Sequence, residues 1–357
     1  MKLLFRADGN PYIGAGHVMR CLSIADAAMD KGVESIFVTA GDEFVNIVRN
    51  RGFRHIVLGS DYRNMDDELP KVVQIIDDEQ PVALMVDSYY VTKSYLGRLK
   101  QAVNAVGGRL VYIDDILSFP YPCDTLINYN IYSDEKAYKE LFSGYSLPEM
   151  LLGTDYAPLR SEFRSAVDKN YVRADRGSQI LISTGGADFE HLMIELVREV
   201  KKVKKHHTFH FLIGAANEDR NLIVSEAAGE SNLILHENVT NMSELMLSCD
   251  AAISAAGSTL YELCACRVPT VTYILADNQI PGARGFEQRG IMKCAGDIRE
   301  TGAVELSARL IDMALELCNN EGECALIAER QGSVVDGKGA ERIIEKLTLN
   351  RTGFRAK

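Results

Sequence analysis

At 357 residues the chain exceeds what one hydrophobic core usually serves, and 46% apolar with 25% charged residues suits folded domains rather than disorder. A formal net charge of -11 argues against a nucleic-acid surface, because phosphate backbones attract Lys and Arg. It does not exclude a nucleotide ligand, since backbone N–H groups at a helix start can hold one diphosphate.

Residues 1–6 read as a strand start with no signal peptide, and no apolar run approaches the roughly 20 residues of a membrane span. The eight cysteines lie singly or in apolar runs, which fits free thiols in a cytoplasmic protein rather than disulfides or a metal site. Strands are predicted at 3–5, 35–39, 55–58, 83–86 and 109–113, with helical stretches near 17–31, 43–51, 69–79 and 93–106. Residues 128–177 carry many Tyr and no clear period, and read as the edge of a cleft and a domain connection. A second series follows. Strands are predicted at 179–183, 208–213, 233–235, 251–254 and 270–273, and helices at 190–204, 219–228, 242–248, 259–266, 303–318 and 322–348. The alternation predicts an α/β chain of two Rossmann-type domains whose parallel sheets face across a cleft. The domains are drawn at 1–157 and 158–349, with a frayed tail at 350–357.

Five polar loops stand at predicted strand ends. In the first, Phe5-Arg6-Ala7-Asp8 runs through Gly14-Ala15-Gly16-His17 to Arg20. The glycines allow a ligand close to the backbone, and the helix start near Gly16 attracts anions. His17 falls in the first helical turn, where the helix dipole disfavours imidazolium and keeps a neutral base available, and Asp8 is near enough to orient it. The loop also fits a plain turn. Met19 stands where G-x-G-x-x-G requires its last glycine, so NAD or FAD is disfavoured and no cofactor is expected.

Asp87-Ser88-Tyr89 follows a buried strand, which brings Asp87 to the same sheet edge. Thr184-Gly185-Gly186 offers a second glycine-rich backbone before a helix. Ala256-Gly257-Ser258-Thr259 could cradle a pyrophosphate, with Glu262 one turn on to accept ribose hydroxyls. A helix capped by Ser258 fits the same residues. Asn278 and Gln279 offer amides for sugar hydroxyls.

These stretches, together with 152–163 (which includes Tyr156), resemble the UDP-2,4-diacetamido-2,4,6-trideoxy-β-L-altropyranose hydrolases of pseudaminic acid synthesis and the spore-coat polysaccharide proteins similar to them. The resemblance implies a GT-B-like fold, a UDP-sugar substrate and metal-free hydrolysis, with His17 activating water. It further implies that Gly257, Ser258 and Thr259 meet phosphate, Glu262 the ribose and Tyr89 the sugar, and that helix 322–348 packs back on the first domain. The stretch Ala256-Gly257-Ser258-Thr259 looks more like a glycosyltransferase loop. A glycosyltransferase using the same donor, or a silent nucleotide-sugar binder, therefore remains an alternative.

Overall fold

A computed structural model describes residues 1–10, 13–164, 166, 178–186, 188, 190–203, 206–214 and 216–348. The tail expected at 350–357 lies outside them, as do Ala187 and residues 167–177 of the expected connection.

The first sheet has seven strands: β1 (Lys2–Ala7), β2 (Glu34–Thr39), β3 (Arg54–Val57), β4 (Ala83–Asp87), β5 (Arg109–Ile113), β6 (Thr125–Asn128) and β7 (Glu149–Leu152). Their order is β3-β2-β1-β4-β5-β6-β7, and every pairing is parallel. β1 and β4 are central and covered on both faces, which is why Leu3, Leu4 and Phe5 and then Ala83 to Val86 are continuously apolar rather than alternating. The second sheet contains β8 (Gln179–Ser183), β9 (Thr208–Leu212), β10 (Leu233–His236), β11 (Ala251–Ala255), β12 (Thr270–Ile274) and β13 (Lys293–Asp297). Its order, β10-β9-β8-β11-β12-β13, repeats the first pattern, again parallel throughout. Each sheet reverses its strand order beside its first strand, at β1/β4 and at β8/β11, which is where open α/β sheets bind ligands.

Contacts divide the chain into two units, Met1–Ser161 with the segment from Lys338, and Glu162–Gly337. The first unit's core gathers Leu4, Ile36, Val86, Tyr95, Leu99 and Tyr112, and the second's gathers Ile182, Leu196, Phe209, Ile253 and Leu310. Among the described residues no helix is long and apolar enough to cross a membrane.

Three readings of the sequence need correction. The stretch read as irregular from 128 holds helix Glu135–Leu141 and β7, and β6 precedes it. Helix Ile280–Gln288 and β13 were not expected. The helix expected at 322–348 is two, Glu321–Val334 and Gly339–Thr348, with Gly337 between them at φ +71°. The second of these packs on helix Gly16–Asp30, and Lys31 meets Glu345 at 2.8 Å.

Gly339 begins that helix in very close quarters. A Cβ there would lie 2.2 Å from the Ala157 carbonyl oxygen and 2.5 Å from the Ala157 nitrogen. Gly339→Ala is therefore expected to destabilise the first unit by about 1–3 kcal/mol, the usual cost of overpacking. A chemical denaturation midpoint equal to wild type would show that the backbone yields there.

Candidate active site

Helix Gly16–Asp30 follows the C-terminal end of β1, with residues 8–10 and 13–15 described between them. Gly14 sits there at φ +74°, which a side chain would strain, and its N–H bonds back to the Asn10 carbonyl at 2.8 Å. No side chain caps the helix start. His17, 6% exposed, is thereby set against the end of the adjacent strand β4, where Ala7 and Asp87 are in register.

The contacts at this point are dense. His17 Nδ1 lies 2.7 Å from Asp87 Oδ1. Arg20, one turn along the helix, forks onto the same carboxylate, with Nε to Oδ2 and Nη2 to Oδ1 both at 2.5 Å. Burial alone would raise the Asp87 carboxyl, but the Arg20 charge and the hydrogen bonds from Arg20 and His17 outweigh it and hold it below the ordinary carboxylate range. Arg20 Nη2 also stands 3.0 Å from His17 Nδ1, but an ionised Asp87 has no proton to give, so the shorter contact to Asp87 favours the hydrogen on Nδ1. In the neutral ring that choice leaves the lone pair on Nε2, which has no partner among the described residues. Because the Asp87 pKa is depressed on folding, its pairing contributes fully above the ordinary value of about 3.9 and is lost only as pH falls through the lower folded value. Loss of activity above about pH 4 must then come from other groups.

The group extends outward. Tyr89 stands edge-on to the His17 ring at 4.7 Å and donates its hydroxyl to Asp115 Oδ2 at 2.9 Å. Arg20 Nη1 reaches Asp115 at 3.2 Å and the Tyr129 hydroxyl at 3.1 Å. Tyr129 and Asp115 were not picked out from sequence. Asp115 could have been, since Ile113-Asp114-Asp115 repeats the strand-then-acid pattern of Val86-Asp87.

Asp8 and Arg6 are corrections. In the sequence, Asp8 and Asp87 both stand as carboxylates that could orient His17, and the contact is made by Asp87. The structure gives Asp8 to Arg6 Nη1 at 2.6 Å and to the Ala40 N–H at 2.7 Å. Arg6, expected to touch substrate, is 0% exposed and holds Glu68 through Nε at 2.6 Å and Nη2 at 2.8 Å. Buried charge needs such pairing, and a guanidinium sealed this way is unavailable to a ligand. Tyr156 lies in the turn Thr154–Tyr156, against which Gly339 packs, and is not brought to the His17 group.

In the second unit the loops after β8 and β11 are neighbours, because those strands pair with Ser183 beside Ser254. Gly185, at φ +90°, and Gly186 are exposed, and Gly214 fits beneath them. A Cβ on Gly214 would meet the Gly185 carbonyl oxygen at 2.4 Å and that of Gly186 at 2.5 Å. Nothing in the residues around Gly214 signals this requirement. Ala256 is buried and Gly257 half-buried, while Ser258 is exposed and its side chain caps nothing, so the capped-helix alternative is not what forms. Thr259 and Glu262 line a recess with Ser183 and Ser254. Gln279 turns its carbonyl oxygen onto the Leu275 N–H at 2.9 Å, which holds its own loop, and Asn278 is exposed. Among the described residues no cluster of three His, Cys, Asp or Glu side chains is placed to hold a metal ion.

No family model matches the chain. Its curated relatives include the UDP-2,4-diacetamido-2,4,6-trideoxy-β-L-altropyranose hydrolase of Campylobacter jejuni, 24% identical over 73% of this chain and 87% of that one. A Helicobacter pylori protein is named as a pseudaminic acid cytidylyltransferase and the same hydrolase, and is 26% identical over 78% of this chain and 46% of its own length. The spore coat polysaccharide biosynthesis protein SpsG of Bacillus subtilis is 26% identical over 54% of this chain and 56% of its own. The chain spans about half the length of most of the curated relatives it matches. Among solved structures, MurG of Acinetobacter baumannii superposes with a TM-score of 0.68 at 14% identity, over 98% of this chain and 99% of that one. The spinosyn rhamnosyltransferase SpnG, complexed with thymidine diphosphate, does so at 0.63 and 13%, over 97% and 100%. The fold is GT-B-like.

Proposed function

We propose that the chain hydrolyses a UDP-activated amino-deoxy sugar of the 2,4-diacetamido-2,4,6-trideoxy-altrose type to free sugar and UDP, in a cytoplasmic route to surface polysaccharide. The observation that carries this reading is the Asp87–His17 pair at the strand-order reversal of the first sheet, with Nε2 left as a lone pair. The names of the curated relatives support the substrate class.

In the reaction, His17 Nε2 takes a proton from water as the water oxygen bonds to C1. The bond from C1 to the diphosphate oxygen breaks, and UDP departs with that electron pair. The backbone around Gly257, with the hydroxyls of Ser258 and Thr259, receives the diphosphate, and Glu262 accepts from the ribose. The test is to incubate the purified chain with the UDP-sugar, without added metal or acceptor, and to follow UDP and free sugar. Equal release of both is expected. No release, with UDP still binding, would overturn the hydrolase.

Asp87→Asn is expected to lower that release by about 10²–10⁴-fold. An amide can turn its N–H toward Nδ1, which moves the imidazole proton to Nε2 and removes the base. Turnover within a few-fold of wild type would show that Asp87 does not set the tautomer.

One observation favours a second reading. Ile116 and Leu117, directly after Asp115, are 42% and 38% exposed. An apolar edge beside the site suits a lipid-like or aromatic acceptor, and so a glycosyltransferase. UDP release that appears only when such an acceptor is added would favour it.

A further inference from the structure

Asp115 enters the His17 group from the loop after β5. One of its carboxylate oxygens, Oδ2, receives the Tyr89 hydroxyl and Arg20 Nη1. The other, Oδ1, is closed off from solvent and meets no donor among the described residues. The acceptor open to an incoming group is therefore the exposed Tyr89 oxygen, and Asp115 acts on that group through its charge.

The protons around it are distributed one-sidedly. Burial and the Asp115 charge raise the Tyr89 phenol above its ordinary range, so it keeps its proton. That proton is directed at Asp115, and Tyr89 offers an incoming group only lone pairs. Arg20 commits Nε and Nη2 to Asp87, and Nη1 to Asp115 and Tyr129. His17 gives Nδ1–H to Asp87 and keeps a lone pair at Nε2. Two carboxylates stand against one guanidinium, so the group as a whole repels anions.

We infer that Asp115 and Tyr89 form an acceptor-only subsite that takes hydroxyl or amide N–H groups of a neutral sugar and turns away carboxylated sugars. The inference rests on the proposed processing of a sugar at His17, and makes Asp115 the specificity-determining residue for it. UDP-glucose and UDP-glucuronate are suitable probes, because they differ only in a CH₂OH against a carboxylate.

Calorimetric titration of the full chain with these two and with UDP alone tests it. Wild type is expected to bind UDP-glucose about 10-fold or more tightly than UDP-glucuronate, the repulsion between the Asp115 charge and a second carboxylate being worth at least that. Asp115→Asn, nearly isosteric, is expected to remove most of the gap while leaving the affinity for UDP unchanged. Tyr89→Phe is expected to weaken UDP-glucose several-fold, again without affecting UDP. Equal wild-type affinity for both sugars, a gap that survives Asp115→Asn, or parallel loss of UDP binding would each overturn the inference. Binding is read without turnover. A wild type that hydrolyses nothing but keeps the gap therefore sinks the hydrolase and not the subsite.

Discussion

Replacing His17 by Ala is expected to lower UDP release by about 10²–10⁴-fold, the usual contribution of a positioned general base. Folding is expected to survive. Asp87 would lose the Nδ1 contact but keep both arms of Arg20, so no buried charge is left uncompensated. The helix start would not suffer either, because no side chain caps it and His17 points at β4 rather than at the helix backbone. His17→Asn is the companion variant, since it retains a polar group of smaller size without a titratable lone pair. Both should show the wild-type denaturation midpoint and the wild-type affinity for UDP. Near-wild-type turnover in either would remove His17 from the chemistry and leave it a buried partner of Asp87. A parallel loss of stability would reduce the kinetic result to a folding effect.

The parts of this molecule visible from sequence are those whose cause is local. Continuous apolar runs such as 83–86 announce a strand buried on both faces, and the breaks after them announce loops at the sheet edge. The strands missed from sequence carry weak apolar signals. β6 is interior and buried, yet Thr125-Leu126-Ile127-Asn128 holds only two apolar residues, β7 is a four-residue edge strand, and β13 reads Lys-Cys-Ala-Gly-Asp with Gly296 at φ +119°. Helix Ile280–Gln288 carries Pro281, Gly282 and Gly285, a composition that argues against a helix. Its proline is tolerated because it falls in the first turn, and Ala283 and Phe286 anchor it in the core. The site divides in the same way. His17 and Asp87 were legible because each follows a strand and the two strands are neighbours. Whether a charged strand residue faces a ligand or a buried partner depends on contacts distant in sequence, and nothing near Arg6 or Asp8 revealed that choice.

Glu68 is where that distinction can be measured, and Glu68→Ala is expected to destabilise the protein by about 3–5 kcal/mol. It lies 62 residues from Arg6, with its side chain wholly buried, and it accepts from Arg6 Nε and Nη2, Tyr95 hydroxyl and Ser60 hydroxyl. Burial pulls the Arg6 pKa down, but Glu68 and Asp8 more than offset it and hold it above the ordinary value. A guanidinium cannot shed its proton to escape an apolar site, so loss of Glu68 leaves a buried cation with Asp8 alone. The double variant Arg6→Met/Glu68→Gln is expected to recover part of the loss. It removes the uncompensated cation but strips Asp8 of its partner, leaving only the Ala40 N–H. Denaturant unfolding of both variants gives the comparison, and the difference between them separates the cost of the orphaned charge from the worth of the pair. If Glu68→Ala unfolded at the wild-type midpoint and instead bound UDP-sugar weakly, Arg6 would return to the residues that touch the substrate.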